Sequence, residues 1–473
     1  MENTALSAQE VDALFAPLKG EQRIAIGVSG GGDSLALLIL CYEWSNRLKT
    51  GPEIVVFTVD HGLRQEAAQE AKGVADLCNT LGITHRTLIW QHNNDIGSVQ
   101  TSAREARLNL LENAAFDAGC ARLLLAHHLE DQAETFLSRL ARGSGVYGLS
   151  AMAFERDGAL VKITRPLLKI SKDKLLQCLR ERGVDWVEDP SNQDRAYSRV
   201  RIRQLQPKLD EIGLSVARVT ATAKAMNRVR ETVQYYVKKH LNDCTVVHAS
   251  GAVRVELPTL MQAPLEIQLR SLAQLLQGVS GATFTARLES LERTLEEIAH
   301  PSFRGGTLSG VQIKRGRAKK NMAALKTDPA KYLYFYKERG RVEIPSLYFN
   351  RCEDIVALTP GRNLVWDKRF SINNNSEAHI CRYMNADPKQ AQCDMIRALG
   401  EEDWVKFGLK APEEWPREAF FTAPLVVFAG QLPYIPWDKE FDRQLRNSLS
   451  EEELQLRELR VEEGLTLELI KRF

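Results

Sequence analysis

The chain has no CxxC pair among its 8 cysteines, which stand singly at Cys41, Cys78, Cys120, Cys178, Cys244, Cys352, Cys381 and Cys393. That scatter excludes a zinc ribbon, a dithiol centre and a cluster-binding set, and it fits a reducing cytoplasm. Basic residues are absent before Lys19, so Met1 to Leu18 lacks the charged start of a secretory signal, and Ser7 to Glu10 is expected to form a helix capping box. Long apolar runs are missing too. The longest uncharged stretch, the 19 residues from Ala419 to Trp437, is broken by Pro424, Gly430, Pro433 and Pro436 and predicts short strands, not a membrane span. No internal repeat or low-complexity linker occurs. Net charge is scarce: 63 Lys and Arg against 61 Asp and Glu leave +2, which by itself does not mark a nucleic-acid binder.

What is present is a 473-residue chain with 44% hydrophobic content, apolar enough to bury cores in about three domains. Arg23 to Val28, Glu53 to Val59, His85 to Trp90 and Ala121 to Ala126 are short apolar runs that read as buried strands. Between and after them, Asp33 to Leu48, Gln65 to Leu81, Ser98 to Ala118 and Leu129 to Arg142 have helical length and spacing. This alternation predicts an α/β fold with a parallel sheet covered on both faces and ligands at the carboxyl ends of the strands. The charge is also unevenly spread. Arg195 to Lys239 carries eleven basic and three acidic residues, and Arg304 to Lys326 carries seven basic and none acidic. The two segments together hold +15, so the remainder holds −13, and basic clusters of this kind suit an RNA backbone.

The densest chemical signal is Ser29-Gly30-Gly31-Gly32-Asp33-Ser34, between the first strand and the first long helix. Glycines let the backbone approach an anion, and a helix start directs N–H groups and its positive dipole end toward phosphate. The single carboxylate suits a Mg²⁺ that shields phosphates. No Lys follows the glycines, so this is not the Walker loop. Gly143 to Gly148 matches GxGxxG in letters but follows a helix, which fails the context of a dinucleotide loop. Asp131 and Glu134, three apart, share one face of the fourth helix. The adjacent His127 and His128 read as structural or substrate-positioning groups, because hard Mg²⁺ prefers oxygen and no HExxH spacing exists.

The Ser29 to Ser34 string resembles the phosphate loop of the ATP-pyrophosphatase, or PP-loop, enzymes, which cleave ATP between its α and β phosphates. Further along stand Asp60-His61-Gly62-Leu63-Arg64, Ala103-Arg104-Glu105-Ala106-Arg107, Ala126 to Thr135, Arg142 to Gly145, Arg165-Pro166-Leu167-Leu168 and Trp186 to Asn192. In this order and spacing they resemble the tRNA(Ile)-lysidine synthetase family. The resemblance implies an ATP-dependent ligase that joins the ε-amine of free L-lysine to C2 of the wobble cytidine in the CAU anticodon of tRNA(Ile), through an adenylated intermediate. AMP and pyrophosphate leave, and lysidine forms. It also implies ATP on Ser29 to Ser34, Mg²⁺ on Asp33, Arg104 over the phosphates or the adenylate, and Asp131 and Glu134 as the carboxylates that receive the lysine amine. An ammonium is not a nucleophile, so groups that bind it and pass its proton on suit that reaction.

Arg199 and Arg203 fall in the family's arginine pattern near RNA. With Lys314, Arg315, Lys319 and Lys320 of the second basic segment they are expected to bind tRNA. Val200 stands where the pattern has Asn, and Glu130 where it has Asp. The expected domains are a PP-loop catalytic domain over residues 1–212, a mainly helical tRNA-binding domain over 213–328, and a mixed or β-rich domain over 329–473 that ends in an amphipathic helix. A homodimer stays open. Two other readings compete: a sulfur-inserting PP-loop tRNA-modifying enzyme, which needs paired cysteines in the first domain, and a non-catalytic nucleotide- or RNA-binding protein, which would not need Asp33, Arg104, Asp131 and Glu134.

Overall fold

The computed structural model describes residues 4–60, 65–89, 99–158, 160–187, 198–282, 286–316 and 329–338. Beyond these it describes 356–357, 363–366, 370–374, 395–399, 401–407, 409–411, 415–421, 423–428, 432–434, 439–446 and 465–469. The chain divides into two units, Met1–Thr232 and Val233–Phe473. The first opens on α1 (Ala8–Phe15), where Ser7 and Glu10 close the expected capping box. Then β1 (Arg23–Gly27), α2 (Gly32–Arg47), β2 (Glu53–Asp60), α3 (Gln65–Leu81), β3 (Thr84–Ile89), α4 (Val99–Asp117) and β4 (Arg122–Leu124) alternate. After them come α5 (Leu129–Leu140), α6 (Val146–Leu149), β5 (Glu155–Asp157), β6 (Lys162–Thr164), α7 (Lys172–Glu181) and α8 (Ser198–Glu211). The division between the units falls within α9 (Val216–Cys244).

The strands of the first unit form one sheet in the order β3-β2-β1-β4-β6-β5, parallel except where β5 meets β6. The apolar runs are nearly continuous because both faces are covered. Ile24, Ile26, Ile54 and Val56 pack under α1, α2 and α7 with Phe15, Leu37, Leu40, Trp44 and Leu175. The alternate positions Ala25, Val55 and Phe57 pack under α4 with Leu111 and Ala115. From β1 the chain winds to β2 and β3 on one side, while β4 lies on the other. A crevice therefore opens at the carboxyl ends of β1 and β4, where the winding reverses.

The second unit holds β7 (Thr245–Val247), β8 (Val253–Glu256), α10 (Leu257–Gln262), α11 (Leu265–Ser280), α12 (Leu288–Ala299), β9 (Gly305–Leu308), β10 (Val311–Arg315) and β11 (Tyr332–Lys337). These five strands pair antiparallel in the order β7-β8-β11-β10-β9. Leu333 and Phe335 of β11 enter the core under α11 and α12, whereas Tyr334 and Tyr336 enter a second, aromatic core with Trp404, Phe420 and Phe441. One strand thus serves two cores, and the expected boundary at 328/329 falls between neighbours of one sheet. The expected helical character of 213–328 was incomplete because β7 to β10 are only 3–5 residues long, too short for a clear period.

Farther on, β12 (Val356–Ala357), β13 (Asn363–Trp366), β14 (Phe370–Asn374), β15 (Met395–Ala398), β16 (Pro424–Phe428), β17 (Leu432–Tyr434) and β18 (Leu465–Leu469) form a four-stranded and a three-stranded sheet. The helices among them are α13 (Glu401–Lys406) and α14 (Lys439–Arg446). The terminal helix expected over Glu451 to Phe473 is corrected at residues 465–469, which are a strand paired antiparallel with β14, and the rest of that stretch lies outside the described residues. Leu465, Leu467 and Leu469 recur every second residue, the period of a strand rather than a helix. Arg341 to Ile344, expected to be a strand, lies outside the described residues.

Phe15 is fully buried, with its ring centroid 5.4 Å from that of Trp44, so α1 is pinned to α2 by aromatic contact. Phe15→Ala is expected to destabilise the first unit by about 3–5 kcal/mol, read as a lower unfolding midpoint in urea. A loss under about 1 kcal/mol would show that α1 adds little to this core.

Candidate active site

The loop after β1 is built by its own side chains. Ser34 Oγ donates to the carbonyl of Gly31 (2.9 Å) and accepts from the Ser29 N–H (3.1 Å), which closes the turn into α2. Gly30 sits at φ +83°, left-handed backbone that favours glycine. Gly32 has no room for a side chain: a Cβ there would lie 2.5 Å from Leu176 Cδ2 and 3.2 Å from the Trp186 ring. Close packing of α7 and the segment after it therefore holds the loop against the start of α2.

Asp33 is the second residue of α2, where the helix dipole favours a carboxylate. Across the crevice, α5 begins right after β4 with His128 as its N-cap, and the His128 N–H donates to Asp131 Oδ2 (3.1 Å). The His128 ring is buried at 3% exposure, with Nδ1 2.8 Å from Glu130 Oε2 and Nε2 3.5 Å from both Asp33 Oδ2 and Asp131 Oδ2. Burial opposes an imidazolium here, but hydrogen bonds to Asp33 and Glu130 and the charge of Asp131 outweigh it and raise its pKa to about 10. Burial likewise opposes the ionised forms of Asp33 and Glu130. His128 reverses that for both, aided by Lys172 and Arg203 for Asp33 and by the Lys172 N–H for Glu130, so both carboxyls lie below their usual range. One turn along α5, Glu134 is buried and its Oε1 accepts from Arg203 Nε of α8 (2.8 Å). Burial works against the Arg203 charge, and Glu134, Asp131 and Asp33 more than restore it.

The loop residues Ser29 to Ser34 thus meet Asp131 and Glu134 in one crevice. Arg203, expected in an RNA-facing patch, also belongs to this cluster through Glu134. Arg104 and Arg199 lie on α4 and α8 at positions whose side chains are outside the described residues, as are His61 to Arg64 and Glu188 to Asn192. Of the second basic segment, Lys314 Nζ lies 3.3 Å from Glu418 Oε1, and Arg315 donates to the carbonyls of Ala330 and His300. Lys319 and Lys320 lie outside the described residues. Sequence reasoning missed the bridging position of His128 and passed over Lys172, whose Nζ lies 4.0 Å from Asp33 Oδ2. The signal for Lys172 was its place seven residues after Arg165, just past the Ser171 helix cap.

A nucleotide-type loop at the switch point of a parallel sheet, faced by carboxylates from the neighbouring strand's helix, defines a PP-loop domain, and the PP-loop domain family matches residues 3–209. The tRNA(Ile)-lysidine synthase of Bradyrhizobium diazoefficiens is 39% identical over 306 residues, covering 63% of this chain and 84% of that protein. The protein of the same name from Orientia tsutsugamushi is 27% identical over 446 residues, covering 92% of this chain and 94% of that one. Among solved structures, a tRNA thiolase from Methanococcus maripaludis aligns at 18% identity over 47% of this chain and 78% of that one, with a TM-score of 0.40. The chain belongs to the tRNA(Ile)-lysidine synthase family.

In the unfolded chain His128 titrates near 6.5, and in the folded protein at about 10. Its stabilising contribution is therefore complete below about pH 6.5 and is lost as the pH rises toward 10. In metal-free protein the His128 ring is expected to stay protonated at pH 8 by NMR. The stability gap between wild type and His128→Gln should narrow from pH 7 to 10, and a ring that titrates near 6.5 would refute the caged imidazolium.

Proposed function

We propose that this chain is an ATP-dependent ligase that attaches free L-lysine to C2 of the wobble cytidine in the CAU anticodon of tRNA(Ile), forming lysidine. The observation that carries the reading is the bridge made by His128, which lies 3.5 Å from Asp33 of the phosphate loop and from Asp131 of α5. ATP on Ser29 to Ser34 and an amine on Asp131 and Glu134 would then share one crevice, as adenylation followed by amine attack requires. The wobble carbonyl oxygen would attack the α phosphorus, pyrophosphate would leave, and the lysine amine would then displace AMP. Arg104 would neutralise charge over the phosphates or the adenylate.

Asp33 fits Mg²⁺. Its Oδ1 is buried and accepts no hydrogen bond, leaving a hard oxygen donor beside the loop. Among the described residues no group of three or more His, Cys, Asp or Glu forms a metal cage, so water and phosphate would complete the coordination. Such an ion would shield the phosphates. Glu134 is paired with Arg203 through Oε1, so an ammonium on this carboxylate would join a cation already in place. Arg199, Arg203, Lys314, Arg315, Lys319 and Lys320 would contribute to tRNA binding, with residues 1–212 as catalytic domain and 213–328 and 329–473 holding the RNA. No helix among the described residues is long and apolar enough to cross a membrane, and a cytoplasmic setting suits the free cysteines.

A sulfur-inserting reaction fits less well. Cys41, Cys78, Cys120 and Cys178 are buried, and burial raises every one of these thiols, Cys78 and Cys120 to about 11, so none is a thiolate at neutral pH.

Incubation with ATP, Mg²⁺, labelled lysine and a CAU-anticodon tRNA(Ile) transcript is expected to release AMP and pyrophosphate and to label the RNA. Folded, ATP-binding protein that transfers no label would overturn the reading. Glu134→Gln should raise the lysine KM roughly 10–100-fold while the ATP KM stays within about twofold, because the charge it removes, which also pairs with Arg203, lies on the amine side of the crevice and leaves Ser29 to Ser34 intact. Equal loss for both substrates would assign Glu134 a structural role.

A further inference from the structure

We infer that Lys172 is the cation that holds the β and γ phosphates of ATP and then the departing pyrophosphate. This rests on the adenylation reading above and adds to it a residue from outside the phosphate loop. A loop without a following lysine has to meet the charge on these phosphates by other means. Lys172 is the first residue of α7, capped by Ser171, and its backbone N–H donates to Glu130 Oε2 (3.0 Å). The helix that carries it lies against the loop, since Leu176 and the Trp186 ring fill the space beside Gly32, and the Val187 N–H donates to the Gly30 carbonyl (3.4 Å). The backbone of Lys172 is therefore placed by the phosphate loop on one side and by the α5 carboxylates on the other.

The side chain is less committed. Its Nζ is 4.0 Å from Asp33 Oδ2, beyond hydrogen-bond reach, and the side chain is 41% exposed. A cation in the first turn of a helix is also opposed by the helix dipole, so this position does not serve helix stability. An ammonium held near the loop without a short partner, at a site adverse to it, is poised for an anion that arrives with the substrate. The Lys172 stem is long enough to swing from Asp33 to phosphate oxygens as Asp33 turns to the metal.

In adenylation the wobble carbonyl oxygen forms a bond to the α phosphorus, and the bond from that phosphorus to the α–β bridging oxygen breaks. The electron pair stays on the bridging oxygen, which leaves with pyrophosphate. Lys172 remains an ammonium throughout, and its positive charge meets the growing negative charge of the leaving group. No proton passes through it.

The test compares nucleotide and pyrophosphate binding in the full chain with Mg²⁺ present, by calorimetry, without RNA or lysine. Lys172→Met should weaken binding of ATP and of inorganic pyrophosphate roughly 10–100-fold, as loss of a hydrogen bond between charged groups predicts, while AMP binds within about twofold of wild type. Lys172→Arg should recover most of the pyrophosphate affinity. Unchanged pyrophosphate affinity in Lys172→Met would overturn the assignment and leave Lys172 as a counter-ion to Asp33. An equal loss for AMP would overturn it too, by showing a disturbed loop. Failure of label transfer in the lysine assay leaves this binding result standing on its own, so the two readings fail separately.

Discussion

Negative charge gathered into a partly buried crevice must be balanced by cations close to it. Asp33 reaches it from the start of α2, and Glu130 and Asp131 from the start of α5. The His128 ring lies among all three, with contacts of 2.8–3.5 Å, and keeps its proton far above the ordinary imidazole range. Two separate chain segments, one that suits a phosphate and one that suits an amine, are thereby held in one site. Without the imidazolium the carboxylates would repel one another or take up protons, and neither state suits the binding of cations.

The surroundings work toward the same end. The switch in winding beside β1 brings the carboxyl ends of β1 and β4 together, so the loops that follow them necessarily face one crevice. Close packing at Gly32, by Leu176 and Trp186, ties α7 to the phosphate loop and brings Lys172 to its rim. Arg203 of α8 reaches the same cluster from a segment far away in sequence, through Glu134. Basic groups from α7, from α8 and from the start of α5 thus meet the carboxylates in one place.

Much of the first unit was legible in the sequence because its strands are buried on both faces and its helices are long. The strand Arg23 to Val28 and the helix from Gln65 to Leu81 differ from the observed elements by at most a residue. The phosphate loop was legible because its glycines, hydroxyls and carboxylate are contiguous. The second unit was less so. Its strands β7 to β10 run for 3–5 residues, and the basic residues around Lys314 masked the buried alternation of Val311 and Ile313. The tail read as a helix from its charge, although Leu465, Leu467 and Leu469 already carried the strand period.

By itself the sequence determined the class of domain, the loop that suits phosphate and the pairing of Asp131 with Glu134 on one helical face, because each is a local pattern of a few residues. Only the tertiary structure decided that His128 balances three carboxylates, that Arg203 sits on Glu134, and that Lys172 stands 4.0 Å from Asp33. These residues are 69 positions apart for Arg203 and Glu134, and 139 for Lys172 and Asp33. No period or motif links residues so distant in the chain. Their proximity follows from strand order and from how α7 and α8 pack, and the charges that meet there set one another's protonation.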